Sequence, residues 1–288
     1  MEPRSPNSST GNSMSTATLT DESPMKRGKR PPQPAYELLQ PLFGAVNGIR
    51  SYLMLTLRAL MWVGRPPYRI MELFKAMDFV GVQSVFIVSL TGIFSGVVLA
   101  LQTTHTLRQF SAEGVVGSVV AISLTRELSP VFSALMVTAR AGSAMGAELG
   151  NMRVTEQIDA LTTMSVSPVQ YLVVPRMIAS ILTMPMLCVL YSCVGMVGAW
   201  MIAVEFLGVD PGTFIANIEK YLTLNDFTMG LIKSVVFGFL ISTISCHQGF
   251  YARGGARGVG IATTRAVVQS AVVLFIANYL ITNWLTQL

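Results

Sequence analysis

Five residues in one apolar stretch bring chemistry for which a simple membrane anchor has no use. Between Val115 and Gly150 the chain sets Arg126 and Glu127 side by side, follows them with Pro130, and adds Arg140 and Glu148 before the stretch ends. Ionised side chains at membrane depth cost several kcal/mol, so they face a bundle interior or a wet cavity where something uses them. A guanidinium presents a fork of donors that suits a phosphate or a carboxylate, and an adjacent carboxylate can pair with it or keep the cavity wet. Pro130 lacks the N–H that would bond the carbonyl of Arg126, four residues earlier. That carbonyl is freed beside two charges and needs another donor.

The elements that must position these groups are membrane helices. The chain has 288 residues, of which 12% are charged and 51% hydrophobic, the composition of a polytopic membrane protein. Runs at 80–101, 115–147, 177–204 and 264–285 reach the ~20 apolar residues that a spanning helix needs, and 227–246 qualifies with Lys233 snorkelling to the interface. The expected fold class is an all-α integral membrane protein of five transmembrane helices.

Charge distribution orients them. Nine Lys/Arg lie from Lys26 to Lys75, two between Glu148 and Arg176, and three between His247 and Arg265. The alternate connections hold one each, Arg108 and Lys220, and the C-terminal end holds none. The positive-inside rule then places the N-terminus in the cytoplasm and the C-terminus outside, in agreement with an odd number of spans. The net charge of +5 is read as topology, and no nucleic-acid partner is expected.

Three regions follow in order. Residues 1–34, rich in Ser, Thr, Asn and Pro and ending in KRGKRPP, read as a disordered basic cytoplasmic tail. Residues 35–78 read as amphipathic interfacial helices. Phe43, Val46, Ile49, Leu53, Leu57 and Leu60 recur at helical spacing, interrupted by Asn47, Arg50 and Arg58, until Pro66–Pro67 ends the run. Residues 79–288 form the five-span unit. Within it Gly92 and Gly96, and then Gly142, Gly146 and Gly150, stand four apart, marking faces for close packing against another helix of this chain or of a second copy.

Two short helices are expected between spans. At 153–166 Val154, Ile158 and Leu161 share a face before Pro168 stops the helix, which suits either a surface connector or a docking element for a soluble partner. At 211–222 Asp210 can cap a helix that opens with Pro211, with Phe214, Ile215, Ile218, Tyr221 and Leu222 on its apolar face.

Several other chemistries are excluded. Cys188, Cys193 and Cys246 lie inside spans without disulfide or metal-ligand spacing and read as small buried packing residues. His105 and His247 fall on opposite sides of the membrane, which leaves no hydrolase triad. The glycine-rich RGGARGVG lacks the Lys and Ser/Thr of a phosphate-binding loop, and no such loop occurs elsewhere. The chain reads as a non-enzyme without a metal or cofactor of its own, so ATP-driven work would need an ATPase in another polypeptide.

Four segments then converge on one family. GIFSGVVLALQ at the end of the first span, LTRELSPVFSALMVTARAGSAMGAELGNMRVTEQIDAL through the second, SPVQYLVVPR after it, and RGGARGVGIATTRAVV before the last resemble the MlaE/YrbE permeases over roughly residues 40–285. These are membrane subunits of ABC-type lipid transporters that work with MCE-domain proteins. The resemblance implies a homodimer in the bacterial inner membrane, each copy with an N-terminal elbow helix. It also implies two cytoplasmic ATPase subunits holding ATP and Mg, a hexameric periplasmic MCE-domain protein, and room for a small ATPase-associated accessory protein. Phospholipid would pass between the inner membrane and the periplasmic pathway that maintains outer-membrane lipid asymmetry.

Carried over by position, Leu99, Leu107, Phe110, Arg126 and Glu127 would line a lipid pocket at the dimer interface. The TEQIDAL segment would be the coupling helix on the ATPase, with Arg153, Thr155, Glu156, Ile158, Asp159 and Leu161 as its working residues. Arg-Glu followed by Leu-x-Pro is nearer the phospholipid branch than the actinobacterial YrbE proteins, which are linked to fatty-acid or sterol import. Two further readings are an ATP-independent secondary transporter using Arg126, Glu127 and Arg140 as an ion path, and a passive scaffold.

Overall fold

The computed structural model describes residues 50–62 and 70–287, and every regular element among them is a helix. We label these α1 (50–62), α2 (Ile70–Arg108), α3 (Glu113–Val154), α4 (Gln157–Thr163), α5 (Val169–Phe206), α6 (Pro211–Tyr221), α7 (Leu224–Phe250) and α8 (Gly255–Thr286). Five of them, α2, α3, α5, α7 and α8, are long and apolar enough to cross a membrane. Among the described residues the protein is thus all-α, with five helices of membrane-spanning length. The tail at 1–34, Phe43, Val46, Ile49 and Pro66–Pro67 lie outside the described residues.

The helices outrun the apolar runs because their polar ends continue the same hydrogen-bond ladder. The amphipathic piece before the first span is one with it: Ile70–Val80 passes through a tight turn at Val82–Ser84 into Val85–Arg108. Backbone hydrogen bonding widens to π-type turns at Leu124–Leu128, Thr138–Gly142, Val169–Val173 and Met201–Phe206. Single π-turns inside α-helices concentrate at functional sites, and the first two fall on Arg126–Glu127 and on Arg140.

Helix α2 packs on α5, α5 on α7, and both α7 and α8 close over the later half of α3. Close approach demands small residues. A Cβ on Gly96 would stand 1.9 Å from the Gly195 carbonyl oxygen, and Gly92 meets the Tyr191 backbone in the same seam. Gly142 and Gly146 face Ser245 of α7 and Ala266 of α8, so within this chain that ridge is filled by its own helices. Tyr191 donates to Ser95 Oγ at 2.6 Å, adding a polar tie between α2 and α5.

Helix α1 presents two faces. Leu55 and Ala59 are buried against the bundle, while Leu53, Leu57 and Leu60, the residues of the sequence's apolar stripe, point away from it. An interfacial helix has apolar surroundings on two sides, the protein and the lipid, so one stripe does not tell which side it meets. A polar latch fixes the choice. Ser51 Oγ lies 2.8 Å from His247 Nε2, and the Tyr52 ring stacks on His247 with centroids 3.6 Å apart. The Tyr52 hydroxyl donates to Gln269 Oε1 at 2.6 Å and accepts from Gln248.

Two expectations change. Lys233 does not snorkel to an interface: it is 1% exposed. Cys193 is exposed, unlike the buried Cys188 and Cys246.

Candidate functional site

The freed carbonyl of Arg126 finds its donor in the side chain that does not snorkel. Lys233 Nζ on α7 donates to the Arg126 carbonyl at 3.0 Å and to Glu127 Oε1 at 2.8 Å. With Pro130 unable to close the ladder, the Ser129 N–H reaches back five residues to the Leu124 carbonyl, and the wide turn presents Arg126 and Glu127 toward α7. Neighbours on a helix diverge by about 100°, so the two charges meet different partners.

Asp226 takes the other charge. Its Oδ1 lies 3.5 Å from Arg126 Nη1, while its Oδ2 accepts from the Thr223 N–H at 2.9 Å and the Thr223 hydroxyl at 2.7 Å, capping α7. Asp226 and Lys233 stand seven residues apart, two helical turns, and so share a face of α7. Gly230 lies between them. A Cβ there would sit 2.3 Å from the Thr125 carbonyl oxygen, so only glycine lets α7 approach closely enough for both charges to reach.

The result is a neutral quartet in which burial is unequal. The side chains of Lys233 and Asp226 are 2% and 11% exposed, those of Arg126 and Glu127 30% and 40%. Two opposite charges therefore anchor the site and two face outward. Glu127 Oε2 also lies within 3.5 Å of Asn278 Nδ2 and 3.4 Å of Thr282 Oγ1 on α8. The outward half carries one cation with donors to spare and one carboxylate among neutral polar groups, a surface able to receive a charged lipid head.

The profile of the family described as Permease MlaE matches residues 73–284. A probable ABC transporter permease protein of Rickettsia bellii is 44% identical over 237 residues, covering 82% of this chain and 92% of that protein. One of Synechocystis is 42% identical over 211 residues, with 73% and 80% covered. The intermembrane phospholipid transport system permease protein MlaE of Haemophilus influenzae is 38% identical over 223 residues, covering 76% and 85%. The chain belongs to the MlaE permease family. It is a multi-pass membrane permease of the ABC transporter class.

Against that family pattern, Arg126 and Glu127 come together with Asp226 and Lys233, which sequence reading left out of the site. Thr223-x-x-Asp226 was a legible capping box, and the seven-residue spacing to Lys233 mirrors the Arg-Glu pair with opposite sign. Leu99 and Leu107 are half-buried and pack on the core, whereas Phe110 is 74% exposed beyond the end of α2. The described apolar cavities are lined by other residues. One of about 490 Å³ lies between α5, α6 and Thr125, and one of about 510 Å³ between α2 and α5.

Arg140 belongs to a different place. Its guanidinium donates to the Phe79 carbonyl at 2.7 Å, Ser84 Oγ at 2.9 Å and Gln83, and lies 5.3 Å over the Phe79 ring. Fourteen residues separate it from Arg126, about 21 Å along a helix axis. Among the described residues it pairs with neither Arg126 nor Glu127.

The segment after α3 differs from its expected extent. Val154 closes α3, Thr155 Oγ1 donates to the Asn151 carbonyl at 2.9 Å, and Glu156 takes a left-handed φ of 59° that separates the two helices. Helix α4 is therefore only Gln157–Thr163, with Ile158 buried, Leu161 half-buried and Val154 outside its inner face. Arg153 Nη1 and Asp159 Oδ1 pair at 2.6 Å across the turn. On α6, Asp210 caps the Thr213 N–H at 2.7 Å; Phe214 is buried and Ile218 half-buried, while Ile215 and Tyr221 are exposed.

Proposed function

We propose that this chain is the permease subunit of an ATP-driven phospholipid transporter, moving lipid between the inner membrane and a periplasmic MCE-protein pathway that maintains outer-membrane lipid asymmetry. One observation carries the reading: a neutral charge quartet between two membrane-spanning helices whose inner half is buried and whose outer half, Arg126 and Glu127, is left accessible. The name of the Haemophilus relative supports phospholipid as the cargo. Arg126 takes the phosphate, Glu127 keeps the entrance polar, and Leu99, Leu107 and Phe110 of two copies receive acyl chains. Each copy supplies half the pocket.

Force enters through α4. Ile158 and Leu161 seat it on the bundle, while Arg153, Thr155, Glu156 and Asp159 face a cytoplasmic ATPase dimer that binds ATP and Mg. An MCE-domain hexamer receives lipid on the other side, the N-terminus is cytoplasmic and the C-terminus periplasmic.

The test is to purify the tagged chain from its own membranes in mild detergent and identify both its protein partners and its bound lipid. An ATPase and an MCE-domain protein should co-elute, and Arg126→Glu and Leu99→Asp should each reduce bound phospholipid severalfold. Undiminished phospholipid in both variants would remove the pocket. Bound fatty acid or sterol in its place would move the cargo to the YrbE-like alternative, and transport by the chain alone in liposomes would favour a secondary transporter.

A further inference from the structure

A second charged site lies away from the quartet. Where the start of α2 meets the end of α3 and the start of α5, a cavity of about 340 Å³ has Glu72, Lys75, Phe79, Glu148, Leu172 and Arg176 in its lining. Its four charges form two pairs, Lys75 Nζ to Glu72 Oε1 at 3.0 Å and Arg176 Nη2 to Glu148 Oε2 at 2.7 Å. Among the described residues each pair uses one carboxylate oxygen. The side chains of Glu72 and Glu148 are 39% and 57% exposed, and that of Lys75 66%.

Its depth and surroundings fit a lipid head group. Glu148 lies six residues before the end of α3 and Arg176 seven after the start of α5, about 10 Å from the helix ends at 1.5 Å per residue. A site this near the ends of spanning helices is within reach of a lipid head group. Next to it on α2, Ile70, Met71 and Phe74 are 61–70% exposed, an apolar rim, and the 510 Å³ cavity on the adjacent side of α2 is lined by Phe74, Met77 and Met186.

We infer that the cavity between Glu72, Lys75, Glu148 and Arg176 binds the head of a zwitterionic phospholipid bearing a primary ammonium. The phosphate takes Lys75 and Arg176, and the ammonium donates to Glu72 and Glu148. An anionic head brings no cation of its own to the carboxylate oxygens that the two ion pairs leave open, and a trimethylated ammonium has no N–H to give them. Three of the five N–H donors of the neighbouring Arg140 are already held by the Phe79 carbonyl, Ser84 and Gln83. The acyl chains lie along the apolar rim of α2. This lipid is separate from any cargo at Arg126, and it joins α2, α3 and α5 near α4.

The purified full-length chain, at equal protein, is mixed with phosphatidylethanolamine, phosphatidylcholine or phosphatidylglycerol of matched acyl chains, and retained lipid is counted by native mass spectrometry. The expected order is phosphatidylethanolamine first, with phosphatidylglycerol retained roughly tenfold less, the effect of one charge-assisted hydrogen bond. Glu72→Gln with Glu148→Gln should turn the preference toward phosphatidylglycerol, and Lys75→Gln with Arg176→Gln should weaken both. Arg126→Gln should leave the preference intact, which separates this site from the proposed cargo pocket. Should Arg176→Gln fail to give monodisperse protein, the exposed pair Glu72→Gln and Lys75→Gln is decisive on its own. Equal retention of the three lipids by the wild type, an unchanged preference in the Glu72/Glu148 variant, or displacement by millimolar inorganic phosphate would each overturn the inference.

Discussion

Lys233 reaches across from α7 to Glu127 on α3 at 2.8 Å, and the two side chains differ sharply in exposure, 2% against 40%. The lysine is a buried anchor and the glutamate the working end of the same pair. A buried cation at membrane depth is tolerated because it also donates to the Arg126 carbonyl that Pro130 leaves open.

Removing the anchor should therefore cost more than neutralising the exposed end. Lys233→Met leaves a carboxylate and a carbonyl without their donor, and we expect a loss of about 2–3 kcal/mol, against about 1 kcal/mol for Glu127→Gln. Thermal unfolding in detergent measures both. The double variant should recover part of the loss, and strict additivity would show that the two groups do not interact.

Gly230 should be the least replaceable residue beside the site. Gly230→Ala forces its Cβ onto the Thr125 carbonyl and should cost about 1–3 kcal/mol, together with severalfold less bound lipid as Lys233 and Asp226 withdraw. Gly260→Ala, with nothing within 4 Å of its Cβ, should stabilise α8 by up to about 1 kcal/mol. Similar melting shifts for the two would contradict the close approach of α7 to α3.

At the turn into α4, stability and coupling can be separated. Ile158→Ala removes a buried anchor and should cost about 2–4 kcal/mol. Glu156→Gly relieves a left-handed backbone and should leave the melting temperature unchanged or slightly raised. If Glu156 contacts the ATPase as proposed, lipid-stimulated ATP hydrolysis should nonetheless fall in that variant.

The latch on α1 carries a pH signature. Burial raises the Tyr52 hydroxyl above the ordinary tyrosine value of 10.0, against the opposing pull of its bond from Gln248 and the nearby charge of Arg265. A raised pKa on a group neutral when protonated stabilises the fold below pH 10 and is lost as pH climbs through the higher folded value. Melting temperatures from pH 8 to 11 should fall less steeply at the alkaline end for Tyr52→Phe than for wild type.

How much was legible follows from what each signal encodes. The five spans, the Asp210 cap of α6, and Arg126, Glu127 and Pro130 as a special place are local matters of apolar length, capping chemistry and charge in the wrong solvent. The partners are not local. Asp226 falls between the helix expected at 211–222 and the span expected at 227–246, and Lys233 reads as an interfacial residue, because their meaning depends on α7 lying within reach of α3. Likewise Leu53, Leu57 and Leu60 formed a clear stripe, yet the bundle takes Leu55 and Ala59 instead, because lipid accepts the stripe as readily as protein does.

By itself the sequence determined an all-α membrane protein with one span too highly charged to be passive, because hydrophobic length and the cost of buried charge are properties of the chain in its solvent. Only the tertiary structure decided which charges neutralise one another and which stay open. That choice rests on helix approach at glycines such as Gly230 and on a carbonyl released by proline more than a hundred residues before the lysine that answers it.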